Sequence, residues 1–374
     1  MNSMEPFVGI SMKAIVLAGG FATRLRPISY VIPKLLFPVA GKPMIYWTFD
    51  LLRKFRVDEV VLGVNYLAEE LRKRVGNEYR GMRIKYSLEK SPLGTGGPIK
   101  LASKMIQLTK TFIAMNGDII TNTNSDEMLK HHKSSRAAIT DALHEVRDPS
   151  RFGVVELDSA SRIIRFVEKP NKKDASSHLV NAGIYLAEPS VLEQIPSGRK
   201  VSLERETFPL LASRRKLYGY QLSDYWFDIG NIYDYKKANF ALLARMNGKS
   251  IIRYGKDPTK KSELTSPIVI GKHTIVGPKS KLANVAIGNN VLLDKGVKIS
   301  NSIIFDAVEI GQQSTITDAI IASDSTIGKR VRIERGAIIS PKVSIRDGVR
   351  VGKGAIVHPY KEISRHVNAG THIM

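Results

Sequence analysis

Beyond residue 268 the chain obeys one rule: an aliphatic residue recurs at every fifth or sixth position. Ile270, Val276, Leu282, Ile287, Leu293, Ile299, Ile304, Ile310, Ile316, Ile321, Ile327, Ile333, Ile339, Ile345, Val351 and Val357 all satisfy it. Within the series Ile270, Ile287, Ile304 and Ile321 are 17 residues apart, and Ile339 and Val357 follow at 18. Three short faces therefore close one coil, each sending one aliphatic side chain inward. One coil cannot bury those side chains by itself, so successive coils must stack along an axis. Glycine follows the aliphatic residue at Gly271, Gly277, Gly288, Gly311, Gly328 and Gly352, where the chain turns a corner. A β-helix over 267–374 is expected, with outward positions such as Ile303, Phe305 and Ile320 apolar enough to require packing on the preceding domain or on another subunit.

From 13 to about 243 the rhythm is different. Apolar runs at 14–18, 59–64, 83–87, 111–115 and 137–143 read as strands, and amphipathic stretches at 46–54, 67–75, 99–106 and 126–134 as helices between them. That alternation implies a Rossmann-like α/β domain: a mainly parallel sheet with helices on both faces, which binds ligands beyond the carboxyl ends of its strands. A polar, lysine-rich stretch holding Pro258 and ending before Pro267 reads as a linker. The expected organisation is an N-terminal extension over 1–12, an α/β domain over 13–247, a linker over 248–266 and the β-helix.

A chain of 374 residues with 43% hydrophobic content can bury two cores. No segment approaches a membrane span, and the run at 14–18 lacks the charge and cleavage pattern of a signal peptide, so a cytoplasmic protein with no membrane partner is expected. The absence of cysteine excludes disulfides, thiolate metal sites and a cysteine nucleophile. A net charge of +22 would suit a nucleic-acid partner. The charges are dispersed, however, and no nucleic-acid motif accompanies them, so no such partner is expected and the excess is read as steering of anionic substrates.

The most chemical segment is AIVLAGGFATRLRP at 14–27, followed by PK at 33–34. Gly19 and Gly20 end the first strand where backbone N–H groups can face an anion. Thr23 adds a hydroxyl, Arg24 and Arg26 add guanidiniums that bind phosphate bidentately, and Lys34 adds a compact charge. The glycines fit neither G-x-x-x-x-G-K-[ST] nor G-x-G-x-x-G, which disfavours a P-loop ATPase or a dinucleotide oxidoreductase. Further on stand SPLGTGGPI at 91–99, MNGDII at 115–120, FGVVE at 152–156, VEKP at 167–170, NAGIY at 181–185 and YWFDIG at 225–230.

In order and spacing these motifs resemble the sugar-1-phosphate nucleotidylyltransferases, over nearly the whole chain. One departure is Ala22, where many members carry glycine, which argues against a positive φ there. The resemblance implies a nucleoside triphosphate held by Leu17, Ala18, Gly19, Gly20, Thr23, Arg24, Pro92, Gly94, Thr95, Asn116 and Gly117. It implies a sugar 1-phosphate held by Gly153, Glu168, Lys169, Asn181 and Gly183, and Mg²⁺ held by Asp118 and Asp228. Arg24, Lys34, Asp118 and Lys169 would carry catalysis. It also implies a left-handed coil for the β-helix.

The C-terminal HPYKEISRHVNAGTHIM and the SLERETFP at 202–209 are most similar to members that take GTP and mannose 1-phosphate. Uridylyl or thymidylyl transfer to glucose 1-phosphate is the alternative. Two further readings are sugar acyl transfer in the β-helix with His273 or His358 as base, and a non-catalytic regulatory subunit. A homo-oligomer, dimer or tetramer, assembled through the β-helix is expected.

Overall fold

The computed structural model describes residues 11–246, 251–253 and 262–374. The first ten residues of the expected extension and most of the expected linker lie outside the described residues. The chain divides into two compact units, one of Met1–Phe21 with Ile45–Asp228 and one of Ala22–Met44 with Ile229–Met374. The segment with Arg24 and Lys34 thus groups with the C-terminal repeat.

The first unit is built on a ten-stranded sheet. Strand Met12–Leu17 runs parallel to Val57–Val64 on one side and to Phe112–Asn116 on the other, and Met82–Leu88 extends the parallel set. Ala14, Ile15 and Val16 are fully buried, as a strand covered on both faces requires. The other half of the sheet is mixed. Strand Leu179–Ala187 is antiparallel to both Phe112–Asn116 and Ile139–Glu145. Between Ile139–Glu145 and Leu179–Ala187 the chain makes an antiparallel pair, Gly153–Leu157 with Ile163–Glu168, which needs no helical crossover. The helix expected over 99–106 is Gly96–Ser103. It starts early because Gly96 N–H donates to Val201 O (2.9 Å), a long-range bond that local periodicity cannot reveal, and Pro98 is tolerated in its first turn.

In the second unit the repeat is parallel throughout. Ile275–Val276, Leu292–Leu293, Glu309–Ile310, Thr326–Ile327, Ser344–Ile345 and Glu362–Ile363 form one six-stranded face, and the other two faces pair in an eleven-stranded sheet. Ile304 pairs with Ile321 and Ile321 with Ile339, the expected spacings. Every aliphatic residue of the repeat series is at most 3% exposed within one core. At one corner Asn284, Asn301 and Asp318 adopt left-handed φ, and Asn284 Nδ2 donates to Asn301 Oδ1 (2.7 Å). Where the coil lengthens to 18 residues, Gly336 (φ 77°) takes that corner. A Cβ on Gly271 would lie 2.4 Å from the backbone of Gly288, so stacking itself demands glycine there.

For Phe305 the expected packing partner lies inside this unit. Phe37 meets both Phe305 and Tyr235 edge-on, each at 5.6 Å. Tyr235 and Asn239 belong to helix Ile232–Arg245. Tyr235 Oη donates to Pro38 O (2.6 Å), and Asn239 Oδ1 accepts from Ala40 N–H (2.8 Å). Phe37, Tyr235 and Phe305 are all fully buried. A Cβ on Gly41 would come 2.2 Å from Val269.

Candidate active site

In the first unit the site residues gather at strand ends. Ala18 N–H donates to Gly63 O (2.8 Å) and Gly117 N–H to Leu17 O (2.9 Å), which brings Leu17, Ala18, Asn116 and Gly117 level with one another. Gly19 follows with no room for a side chain, since a Cβ would lie 2.5 Å from Glu89 Oε1, whereas a Cβ on Gly20 would meet nothing within 4 Å. The first glycine is needed for close approach and the second leaves its backbone open. Glu89 did not figure among the sequence candidates. It is buried, and burial pushes its carboxyl above the usual range against the opposing N–H of Leu93. The signal available in the sequence was only an acid at the end of a predicted strand.

The glycines at 94–97 serve the protein's own chain. A Cβ on Gly94 would lie 2.3 Å from Val201 O, and one on Gly97 would lie 2.7 Å from Leu93 Cβ. Thr95 Oγ1 donates to Glu204 Oε2 (2.6 Å) and accepts from Leu203 N–H (2.9 Å). The segment holding Pro92, Gly94 and Thr95 is thereby bound to the π-helical turn Leu203–Thr207.

A second group lies on the antiparallel strands. Gly153 pairs with Glu168, and a Cβ on Gly153 would come 3.0 Å from Glu168 Oε2. Glu168 Oε1 pairs with Lys169 Nζ at 3.2 Å, and the backbone of Lys169 is left-handed (φ 50°). The register of Leu179–Ala187 shifts between Asn181 and Tyr185. In that bulge Asn181 Oδ1 accepts from Gly183 N–H (2.7 Å), and Asn181 Nδ2 donates to Tyr185 Oη (2.9 Å). Gly183, at φ 73°, lies so close to Asn116 that a Cβ would be 2.6 Å from Nδ2. The expected nucleotide residue Asn116 and sugar residues Asn181 and Gly183 are thus adjacent. Trp226 joins them, with Nε1 donating to Ala182 O (2.9 Å) and its ring 5.3 Å from Phe152.

Asp118 and Asp228 come together through a two-stranded pairing, in which Asp228 faces Ile119, the neighbour of Asp118. Among the described residues no cluster of three or more His, Cys, Asp or Glu side chains forms a metal cage. A carboxylate ending strand Trp226–Asp228 and another on the turn before strand Ile119–Thr121 fit Mg²⁺, which is held by one or two carboxylates with phosphate oxygens and water completing its shell.

In the second unit, Thr23, Arg24 and Lys34 lie on short turns, Thr23–Leu25 and Lys34–Leu36. Ala22 precedes them at φ 48°, so it adopts the left-handed backbone that its side chain argued against. Ser29 Oγ, donating to Ala22 O (2.8 Å), and Leu25 N–H, donating to the same oxygen (2.9 Å), hold that conformation. Gly230 lies against Arg24, where a Cβ would be 3.1 Å from Nη2. Arg26 lies over the Tyr30 ring at 4.9 Å, and Tyr30 meets the His358 ring at 6.1 Å.

A mixed sheet with glycine, amide and carboxylate groups gathered at the ends of its parallel strands is the frame of a nucleotide-binding α/β domain. The nucleotidyl transferase family profile matches residues 13–245, and the chain belongs to that family. Residues 264–373 match the GMPPB C-terminal domain. The chain is 36% identical to mannose-1-phosphate guanylyltransferase 1 of Arabidopsis thaliana and 33% identical to mannose-1-phosphate guanyltransferase of Yarrowia lipolytica. Both matches cover 90% of this chain and 93% of the relative. A solved Bacillus anthracis chain assigned as a glucose-1-phosphate thymidylyltransferase superposes with a TM-score of 0.58 at 26% identity, covering 66% of this chain and 98% of its own.

Proposed function

We propose that this protein joins GTP to mannose 1-phosphate, giving GDP-mannose and pyrophosphate. The observation that carries the reading is similarity along both units, repeat included, to relatives named for that reaction. The Bacillus anthracis likeness favours a second reading, thymidylyl transfer to glucose 1-phosphate, but spans only two thirds of the chain.

The reaction is a direct displacement. An oxygen of the sugar phosphate attacks the α-phosphorus, a new P–O bond forms, and the bond to pyrophosphate breaks in line. The attacking oxygen is already anionic, so no general base is required, and catalysis is positioning plus charge neutralisation. Backbone N–H groups at Gly19 and Gly20 face the triphosphate, with Leu17, Ala18, Asn116 and Gly117 beside them. Arg24 neutralises the departing pyrophosphate, Thr23 donates its hydroxyl to it, and Lys34 neutralises the α-phosphate. Lys169 holds the sugar phosphate, while Glu168 accepts from sugar hydroxyls and Gly153, Asn181 and Gly183 shape the pocket. Mg²⁺, held by Asp118 and Asp228, supplies Lewis-acid neutralisation of the phosphates when bound.

Self-association through the repeat, as a dimer or tetramer, belongs to the same reading. Ile275 and Leu292 support it, being paired on adjacent coils and 57% and 38% exposed. Among the described residues no helix is long and apolar enough to cross a membrane, and a cytoplasmic location belongs to the same reading. The test is pyrophosphate release with Mg²⁺ across GTP, UTP, dTTP, CTP and ATP against mannose 1-phosphate and glucose 1-phosphate. A dominant signal from GTP with mannose 1-phosphate is expected. Dominance of dTTP or UTP with glucose 1-phosphate would replace the substrates, and silence throughout would overturn the activity.

A further inference from the structure

Ile304, Ile321, Ile339 and Val357 pair from coil to coil, so the residues that follow them, Phe305, Ala322, Ser340 and His358, form one outward column. Ala322 and Ser340 are fully buried, as Phe305 is. At its two ends the column meets one stretch of chain: Phe37 lies 5.6 Å from Phe305, and Tyr30 lies 6.1 Å from His358. Three coil spacings, about 14 Å, separate the two contacts.

The catalytic cations are ordered along that stretch. Lys34 lies between the two contacts and Arg24 beyond the second. Ser29 Oγ donates to Ala22 O (2.8 Å), which closes residues 22–29 into a loop with Arg24 inside it, and Tyr30 is the next residue. Phe37 is 13 residues from Arg24. The contact nearer to Arg24 is therefore the one made by His358, one of the two repeat histidines that the sequence offers as an acyl-transfer base.

The groups around His358 are cationic or neutral. From the loop, Tyr30 meets it and Arg26 lies over the Tyr30 ring at 4.9 Å. From the last coil, the His372 ring lies 6.5 Å away, and Lys361 comes from its own coil. Among the described residues no carboxylate pairs with His358; burial, with His372 and Lys361 adding to it, holds its imidazole below the usual histidine range.

We infer that His358 is a positioning residue for the transfer reaction: its neutral ring holds Tyr30, and through Tyr30 the loop that carries Arg24, against the repeat. This goes beyond the guanylyl-transfer reading and rests on it for the role of Arg24. Protonation sets a second cation at a ring that already carries Arg26, beside Lys361 and His372, so the contact weakens as the imidazole charges. The loop is then held through Phe37 alone. Turnover is full above the ordinary histidine value, about 6.5, and falls as pH drops through the lower value of the folded protein.

The experiment measures kcat and KM for pyrophosphate release from GTP and mannose 1-phosphate with Mg²⁺, from about pH 5 to 8, in the wild type, His358→Ala and His358→Phe. At the alkaline end His358→Ala is expected to lower kcat about 10-fold with the KM for mannose 1-phosphate near its wild-type value. His358→Phe keeps a ring against Tyr30 and is expected to restore most of that loss. Toward acid the wild type is expected to lose kcat relative to His358→Phe, by about 3- to 10-fold at pH 5, because phenylalanine cannot take a proton. A normal kcat in folded His358→Ala would overturn this inference and leave the guanylyl-transfer reading standing. Parallel pH profiles for the wild type and His358→Phe would do the same, and that comparison decides the matter should His358→Ala fold poorly. A wild type active only with another nucleotide and sugar would overturn the guanylyl-transfer reading, and the same comparison with that pair would still decide this inference.

Discussion

Residues at the strand ends of the first unit and the cationic turns of the second are held by different forces. Asn116, Gly153, Glu168, Asn181 and Gly183 are placed by backbone register: each lies on or beside a strand whose neighbours fix it by hydrogen bonds. Arg24 and Lys34 lie on short turns instead of strands. The segment that carries them is held by Phe37, Tyr235 and Phe305 packing edge to face and by Asn239 capping the Ala40 N–H. Backbone register tolerates side-chain changes nearby, whereas aromatic packing transmits them. Substitutions deep in the repeat unit should therefore reach catalysis without touching a ligand, while comparable changes in the sheet should affect mainly stability.

The largest effect should come from the chemistry itself. Asp118→Asn is expected to lower turnover by about 100-fold or more with the fold intact, read as pyrophosphate release alongside a melting curve. Full activity in a folded variant would remove the metal role and leave the strand ends with binding alone. Phe305→Ala probes the other side of the comparison. It should cost about 3–5 kcal/mol in denaturant unfolding and lower kcat while leaving the KM for mannose 1-phosphate near its wild-type value. A folded Phe305→Ala enzyme with normal kcat would show that the aromatic cluster does not position the cationic turns.

Next in size is Gly19→Ala, which forces the new Cβ against Glu89 and should cost about 1–3 kcal/mol. Gly20→Ala meets nothing and should stay within about 0.5 kcal/mol. Equal effects in thermal melts would contradict the close approach drawn at Gly19.

Asp141 sharpens the picture of the sheet. It is fully buried in strand Ile139–Glu145, neither carboxylate oxygen has a partner among the described residues, and burial pushes its pKa well above the usual range, with Glu204 adding to the shift. The folded state therefore holds a proton that the unfolded state releases. The contribution to stability is complete below the unfolded value, about 3.9, and is lost as pH rises toward the folded value. Asp141→Val should stabilise by about 1–3 kcal/mol, most at pH 8 and least near pH 4, with unchanged substrate KM. A gain independent of pH in melts from pH 4.5 to 8 would contradict the assignment.

The repeat could be read residue by residue because each aliphatic position answers to its neighbours 17 or 18 residues away, and the pattern shows that spacing directly. The sheet was legible where strands are buried on both faces, as at Ile15 and Val16. Its mixed character was not, because the antiparallel placement of Leu179–Ala187 is set by long-range pairing with Phe112–Asn116 and Ile139–Glu145, which no local pattern marks. The site followed the same rule. Glycines that face their own chain, such as Gly94, cannot be told from glycines that face a ligand until the chain around Val201 is placed. Glu89 escaped notice because its meaning comes from Gly19, seventy positions away. The grouping of Ala22–Met44 with the repeat was hidden for the same reason, since Phe37 finds Phe305 only in three dimensions.

Guanylyl transfer, as proposed, is one direct displacement at the α-phosphorus, arranged by charge and position with no covalent enzyme intermediate. The most direct test is the stereochemical course with a single diastereomer of guanosine 5′-O-(1-thiotriphosphate) and mannose 1-phosphate. One in-line displacement predicts inversion at phosphorus in the GDP-mannose product. Retention would require two displacements and a guanylylated enzyme, and would contradict it.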